Sequence, residues 1–217
     1  CCVCLCGVDP DLLAIDPNIR YTLVVATPKY IKIYKIKDQI IDNPKFYLIE
    51  IKFVASCITA GPDGQIFVGA DCGRIFLIKY DITDTYKSTS IASNLSPLDF
   101  TYGIFPRILS ALVGYSSPSI IQIVFDSSSS YIAAIDDKNH LRFFKYDNSS
   151  SCTVFSFENS DEYEISSVCS VPTTDSDNPL FIAFCKNGTR LLIRRSPSFR
   201  KLGNALAFQV ISEKASP

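Results

Sequence analysis

The strand–turn–strand pattern of residues 64–80 constrains the fold more than any other feature of the chain. Ile66 and Val68 alternate with their neighbours, and Asp71-Cys72-Gly73 has the composition of a tight turn before a second apolar run. Another β-prone run, residues 55–60, precedes this pattern and ends in a glycine-containing reverse turn. Three short strands joined by such turns predict a meander, which is the unit of a β-propeller blade.

The same pattern recurs along the chain and predicts an all-β protein. A repeat of about 40 residues is typical of propellers, so the chain would hold about four blades. We expect residues 1–195 to form part of a β-propeller and residues 196–217 to be a tail or the start of a next blade. The remaining predicted strands cover residues 21–26, 30–35, 46–53, 120–125, 131–136, 141–146, 152–157, 165–171, 180–185 and 190–195.

One segment, residues 96–115, departs from the β pattern and predicts a short amphipathic helix between blades. Its apolar residues recur at helical spacing, with Pro106 near the start and Gly114 at the end. The apolar side of such a helix would pack on the propeller, or it would contact a partner or a membrane. The candidate contact residues are Ile104, Phe105, Ile108, Leu109 and Leu112.

Composition excludes several classes of function. The net charge of -1 argues against a general binder of nucleic acid or anionic membranes, since both require a basic surplus. Nine cysteines at irregular spacing, with His140 as the single histidine, lack the pattern of a metal site and indicate reduced thiols in a cytosolic or nuclear protein. Because the chain starts at Cys1 and contains no methionine, we expect it to be a fragment or a processed product.

No catalytic pattern is evident in the sequence, so we expect neither enzymatic activity nor a cofactor. His140 lies where a strand begins and is expected to be a turn or edge residue. The neighbouring carboxylates Asp136-Asp137 and Asp161-Glu162 are typical of solvated turns, and the phosphate-binding G-x-x-x-x-G-K motif is missing.

Five blocks of sequence, in order, resemble the large scaffold nucleoporins of the nucleoporin 155/170 family. Residues 23–28 resemble the family's L-V-A-T-P segment, and residues 58–80 resemble its I-T-x-T-x-x-G-R-I-F-x-x-G-x-D-G-x-L-Y hallmark. Residues 105–109 and 121–126 are similar to its V-P-x-L-L and I-x-Q-I-x-x-D blocks, and residues 180–193 to its L-x-A-V-T-x-x-G-x-R-L-Y-F block. The chain departs from the hallmark at Gln65, where the family usually has arginine.

The resemblance implies a seven-bladed N-terminal β-propeller in an inner-ring scaffold protein of the nuclear pore complex, at the nuclear envelope of the nucleus. Such a protein supports nucleocytoplasmic transport by binding other scaffold nucleoporins, with an indirect or weak membrane association and no direct contact to nucleic acid. The short loop at residues 37–44 leaves no room for an amphipathic membrane helix. The alternative hypothesis is a generic propeller interaction module of a trafficking coat or a ubiquitin-ligase adaptor.

Overall fold

The described part of the chain consists of β-strands arranged in four antiparallel sheets. The computed structural model describes residues 2–6, 19–37, 40–62, 64–78, 98–99, 118–146, 152–156, 163–195 and 208–214. Within these ranges there are sixteen strands and no helix. Each sheet has four strands that pair in chain order, as in a meander. The predicted all-β fold is therefore confirmed, and the four meanders correspond to the four predicted blades.

Sheets I and II contain the first eight strands. Sheet I is built from β1 (Cys2–Cys6), β2 (Ile19–Ala26), β3 (Tyr30–Lys37) and β4 (Ile40–Glu50). Sheet II is built from β5 (Ala55–Ala60), β6 (Ile66–Ala70), β7 (Ile75–Ile78) and β8 (Leu98–Asp99). The hairpin predicted in residues 64–80 is formed by β6 and β7, with Phe67 opposite Leu77.

Sheets III and IV contain the last eight strands. Sheet III is built from β9 (Ile120–Asp126), β10 (Tyr131–Asp136), β11 (Leu141–Tyr146) and β12 (Cys152–Ser156). Sheet IV is built from β13 (Ile165–Val171), β14 (Leu180–Cys185), β15 (Arg190–Arg195) and β16 (Phe208–Lys214).

The position of β16 corrects the sequence interpretation of the C-terminal residues. Residues 196–217 were expected to be a tail or the start of a next blade. Instead β16 pairs antiparallel with β15 as the fourth strand of sheet IV, with Arg194 opposite Gln209 and Arg190 opposite Lys214. This pairing leaves β16, rather than β15, as the free edge of the sheet.

The predicted helix of residues 96–115 is described only at Leu98–Asp99. These two residues form β8 and pair with β7, so they belong to a strand and not to a helix. Extending the sheet satisfies backbone groups of β7 that would otherwise lie at a free edge. The rest of the segment lies outside the described residues, so the helix remains a prediction there.

The chain divides into two compact units, Cys1–Ile120 and Ile121–Pro217. In the first unit, β5 of sheet II contacts β1 and β2 of sheet I. Alternation places one face of each sheet in a shared apolar core, which includes the sheet I residues Val24, Ala26, Ile31, Ile33 and Ile49 and the sheet II residues Ile66, Val68 and Ile78.

An aromatic cluster forms the core of the second unit. Phe143 stacks on Phe208 with ring centroids 3.9 Å apart and lies 5.0 Å from the ring of Phe181. Tyr131 meets Phe208 edge-on at 5.7 Å. All four side chains are fully buried, and they come from both sheets of this unit, so the cluster joins sheet III to sheet IV.

A side-chain amide also joins these two sheets. The Gln122 Nε2 group donates a hydrogen bond to the carbonyl oxygen of Val168 at 3.0 Å, and the Val168 N–H donates to Gln122 Oε1 at 3.0 Å. Gln122 lies on β9 and Val168 on β13, which is an edge strand of sheet IV. The amide therefore supplies both polar partners that a backbone strand would supply there.

Three hairpins share one turn geometry, which explains why their sequences resemble one another. Gly73, Gly188 and Asn139 have φ angles of 76°, 87° and 64°, in the left-handed region that glycine and asparagine adopt most readily. In each hairpin the backbone N–H of this residue donates to the carbonyl three positions earlier, at Ala70, Cys185 and Asp136. This is the three-residue loop that commonly joins antiparallel strands.

At Gly69 the backbone of β6 packs closely against the side chains of Cys57 and Ile120. A Cβ added there would lie 2.5 Å from Cys57 Sγ and 2.8 Å from Ile120 Cγ2. We expect Gly69→Ala to reduce the free energy of unfolding by about 1–3 kcal/mol because the site has no space for a methyl group. Urea unfolding of the variant measures this loss.

Cys57→Ala is the matched background for the Gly69→Ala prediction. It removes the Cys57 thiol, which is one of the two groups that would clash with the new methyl group. The double variant should lose less stability than the sum of the two single variants. Strictly additive losses would show that the contact with Cys57 does not limit the site.

Candidate interaction surfaces

The residues predicted to contact a partner or membrane all fall outside the described ranges. Ile104, Phe105, Ile108, Leu109 and Leu112 belong to residues 100–117, which the structure does not describe. Their role remains a prediction. The described residues present two other sheet faces that are open and apolar, one in each unit.

The first surface is the outer face of sheet I. In β1, the cysteines Cys2, Cys4 and Cys6 point into the core, whereas Val3 and Leu5 point outwards and are 56% and 60% exposed. The strand register places these two beside Leu23 and Val25, and Tyr21 and Tyr34 continue the face on β2 and β3. Lys32 and Glu50 lie on the same face, opposite Val25 and Tyr30, so the surface is mainly but not wholly apolar.

The second surface is the outer face of sheet IV, which combines apolar and basic side chains. Even-numbered residues of β14 and β15 point away from the core and form three cross-strand pairs. Ile182 pairs with Leu192 in the middle of the face. The other pairs are Leu180 with Arg194 and Phe184 with Arg190, and Lys214 of β16 lies opposite Arg190.

Like charges therefore meet on this face, at Arg190 and Lys214. Both side chains are exposed, and among the described residues neither forms an ion pair. The nearby carboxylates have other partners: Glu213 accepts a hydrogen bond from Tyr163 Oη at 2.6 Å, and Glu164 pairs with Lys186. Directly opposed like charges destabilise a sheet, so this pair has no structural benefit within sheet IV.

Arg194, at the other end of the face, has an acidic neighbour. Hydrogen bonds from the Asn178 side chain and from the Asp177 N–H lower the pKa of Asp175, and Arg194 adds a smaller Coulombic effect in the same direction.

The sequence contains only a faint signal for this second surface. All six residues of β14 are apolar, so their alternation does not reveal which side is covered. Arg190 and Arg194 mark the outer side of β15 in the sequence. The sequence does not show that Arg190 lies opposite Lys214, because that pairing depends on the position of β16.

Asp136 is the most densely hydrogen-bonded carboxylate among the described residues, and its role is structural. It is only 1% exposed, and its Oδ1 atom accepts hydrogen bonds from the N–H groups of Lys138 and His140 at 3.0 Å each. Its Oδ2 atom lies 3.0 Å from His140 Nδ1 and 2.9 Å from an Nη atom of Arg142. With both oxygens committed to its own hairpin, Asp136 holds the turn, which agrees with the prediction that His140 is a turn residue. The expectation that Asp136 is solvated is wrong, because its carboxylate is buried in these hydrogen bonds.

The buried thiols of Cys57 and Cys185 are unsuited to nucleophilic chemistry. Burial raises the pKa of Cys57 to about 12 and also raises the pKa of Cys185, so both are protonated at neutral pH. Cys4 and Cys6 lie on one side of β1 with their sulfur atoms 3.8 Å apart. Their shared hydrogen bond raises the pKa of Cys4 and lowers that of Cys6.

The described residues contain neither a metal-binding cluster nor a membrane-spanning helix. Within those ranges, histidine, cysteine and acidic side chains form no group of three that could hold a metal ion. The described ranges also contain no helix that is long and apolar enough to span a membrane.

Comparison with protein-family models identifies the chain. The model of the Nup133 N-terminal-like nucleoporin domain matches residues 7–217, which is nearly the whole sequence. The chain belongs to this nucleoporin family. The predicted resemblance to scaffold nucleoporins is thereby confirmed, and the nucleoporin is assigned to the nuclear pore complex at the nuclear envelope.

The structural comparison agrees with the family assignment. The described fold is similar to the Nup170 N-terminal domain of Chaetomium thermophilum, which was solved in a complex with Nup53, with a TM-score of 0.69 and 14% sequence identity. The match covers 99% of this chain and 32% of that Nup170 chain. It confirms the predicted β-propeller fold of the nucleoporin. A comparison with curated protein sequences found no significant match.

Proposed function

We propose that this nucleoporin is a scaffold subunit of the nuclear pore that acts by binding other nucleoporins and performs no chemistry. The family match over residues 7–217 carries this proposal. The structural neighbour Nup170 was solved bound to Nup53, which supports a nucleoporin as the partner here as well. The commitment of Asp136 to its own hairpin and the protonated buried thiols favour a binding role over a catalytic one.

We further propose that the four sheets belong to a larger propeller that extends from the N-terminal residues through β16. The apolar outer face of sheet I supports this, since Val3 and Leu5 would be buried if another sheet packed there as sheet II packs on the opposite face. An indirect or weak association with the nuclear-envelope membrane remains part of the proposal, as does the lack of direct nucleic-acid binding.

Imaging and partner recovery test the scaffold role. A fluorescently tagged full-length protein, expressed at its native level, should give a punctate nuclear rim and should co-purify with other scaffold nucleoporins. Localisation to transport vesicles with coat subunits, or recovery with a ubiquitin ligase, would support the alternative of a generic propeller module and overturn the proposal.

A further inference from the structure

We propose that Cys4 and Cys6 form a modification site, at which a small hydroperoxide converts the two thiols reversibly into an intrastrand disulfide. The two residues lie two positions apart on β1, and both side chains point to the core side of the strand. Their sulfur atoms are 3.8 Å apart, and both thiols are free in this structure. The inference goes beyond the scaffold role and does not depend on it.

The geometry of a strand brings these two cysteines within reach of a disulfide. Residues two positions apart along a strand have Cα atoms about 6.6 Å apart. Disulfides span Cα distances of roughly 4.4–6.8 Å, so the pair lies at the long end of the permitted range. β1 is an edge strand of sheet I and pairs there with β2 alone, so its backbone can contract with fewer neighbours to displace.

The surroundings of Cys6 favour a thiolate in this pair. A hydrogen bond from Cys4 and the hydroxyl group of Thr22 lower the pKa of Cys6, against the opposing effect of burial. Thr22 lies opposite Cys6 in the pairing of β1 with β2 and is only 2% exposed. In the part of the chain that the structure describes, its Oγ1 atom has no other hydrogen-bond partner, which is rare for a buried hydroxyl group. A Cys6 thiolate would accept the hydrogen bond that Thr22 has to donate.

The reaction is a two-electron oxidation of the pair. The Cys6 thiolate attacks one oxygen of hydrogen peroxide, the O–O bond breaks, and the departing hydroxide takes up the proton that Cys6 released, so that a sulfenic acid and water result. The Cys4 thiol then loses its proton and attacks the Cys6 sulfur. The S–S bond forms as the S–O bond breaks, and the second hydroxide leaves as water. The two thiols are oxidised and the peroxide is reduced.

Burial determines which oxidant fits the site. Cys4 is partly exposed, whereas Cys6 is only 1% exposed and lies behind it in the core of sheets I and II. A hydroperoxide of about the size of a water molecule can approach the pair past Cys4, but a bulky disulfide such as oxidised glutathione is too large to reach Cys6.

Two other thiols of the same core serve as internal references. Cys2 also lies two positions from Cys4 on the core side of β1, but burial raises its pKa. Burial raises the pKa of Cys57 on β5 to about 12. Because a thiolate and not a thiol reacts with peroxide, we expect Cys4 and Cys6 to be oxidised in preference to Cys2 and Cys57.

Differential alkylation of the full-length protein tests this site. The reduced protein is treated with hydrogen peroxide, its free thiols are blocked with iodoacetamide, and the disulfides are then reduced and labelled with N-ethylmaleimide. Fragmentation of the N-terminal tryptic peptide should place the maleimide on Cys4 and Cys6, with a rate of labelling about tenfold or more above that of Cys57. Dithiothreitol, added before the iodoacetamide, should abolish the label.

Oxidation of the unfolded protein provides a control that needs no variant. In urea the fold no longer positions the pair, so the maleimide should spread over the nine cysteines of the chain and the preference for Cys4 and Cys6 should fall. A preference that is equal in urea and in native buffer would show that sequence spacing alone produces it, and would overturn the assignment of the site to the fold.

Three variants separate the roles of the residues. Cys4→Ser should stop the reaction at a Cys6 sulfenic acid, which dimedone traps. Thr22→Val keeps the shape of the side chain but removes the hydroxyl group, and should slow disulfide formation by about threefold or more. Cys2→Ser is the matched control on the same side of β1 and should leave the label on Cys4 and Cys6 unchanged.

Several results would overturn the proposal. One is the absence of a disulfide in native protein at peroxide concentrations that oxidise free cysteine. Others are a label on Cys2 with Cys4, a label on Cys57 at the same rate, and an oxidation that dithiothreitol does not reverse. Nuclear-rim localisation does not enter these measurements, so the scaffold role and the thiol site can fail separately.

Discussion

Phe143→Ala is expected to cause the largest loss of stability, about 3–5 kcal/mol. The Phe143 ring is fully buried, stacks on Phe208 at 3.9 Å and lies 5.0 Å from Phe181, so its removal leaves a cavity where sheets III and IV meet. The surrounding rings come from two sheets with fixed registers and cannot all move into the space. Chemical denaturation followed by tyrosine fluorescence and circular dichroism measures the loss.

Phe184→Ala is the control for this prediction because it deletes the same ring from an exposed position of sheet IV. It should cost about 1 kcal/mol or less, mainly through lower strand propensity. Similar losses for the two variants would contradict the assignment of Phe143 to the core.

Asp136→Ala should cost about 3 kcal/mol, the second largest effect. The variant removes the acceptor of the Lys138 and His140 N–H groups and the carboxylate that pairs with the Arg142 guanidinium, which is only 21% exposed. Burial already lowers the pKa of Arg142, which reflects the cost of holding its charge there. Thermal unfolding should show a clear fall in Tm.

Two further substitutions separate the contributions of Asp136. Asp136→Asn keeps an oxygen acceptor for the backbone N–H groups but removes the negative charge, so its loss should be smaller than that of the alanine variant. His140→Ala removes a side chain that is 56% exposed and should change the stability by less than about 1 kcal/mol. A large effect of His140→Ala, with little effect of Asp136→Ala, would refute the proposed role of the carboxylate.

Much of the strand structure is predictable because its signals are local. The bounds of β10, β11, β13, β14 and β15 agree with those expected from the sequence. Alternating or continuous apolar runs end in these regions at turns with glycine or asparagine, and the positive φ angles of Gly188 and Asn139 explain that choice of residue.

The three missed strands lack such signals. The alternating cysteines of β1 lack the spacing of a metal site, and on this strand they act as small apolar residues facing the core. β8 has only two residues, and β16 ends in the polar residues Ser212, Glu213 and Lys214. Both become strands by pairing with a neighbour, which is a tertiary interaction and not a local preference.

The sequence by itself determined the all-β class, the four meanders and the relation to scaffold nucleoporins. Each depends on short-range patterns of side-chain alternation and turn residues. Only the tertiary structure decided which faces of the sheets are covered and that Arg190 and Lys214, distant in sequence, stand side by side. The reason is that alternation specifies two faces for every strand, whereas strand register and sheet packing select the face that is buried.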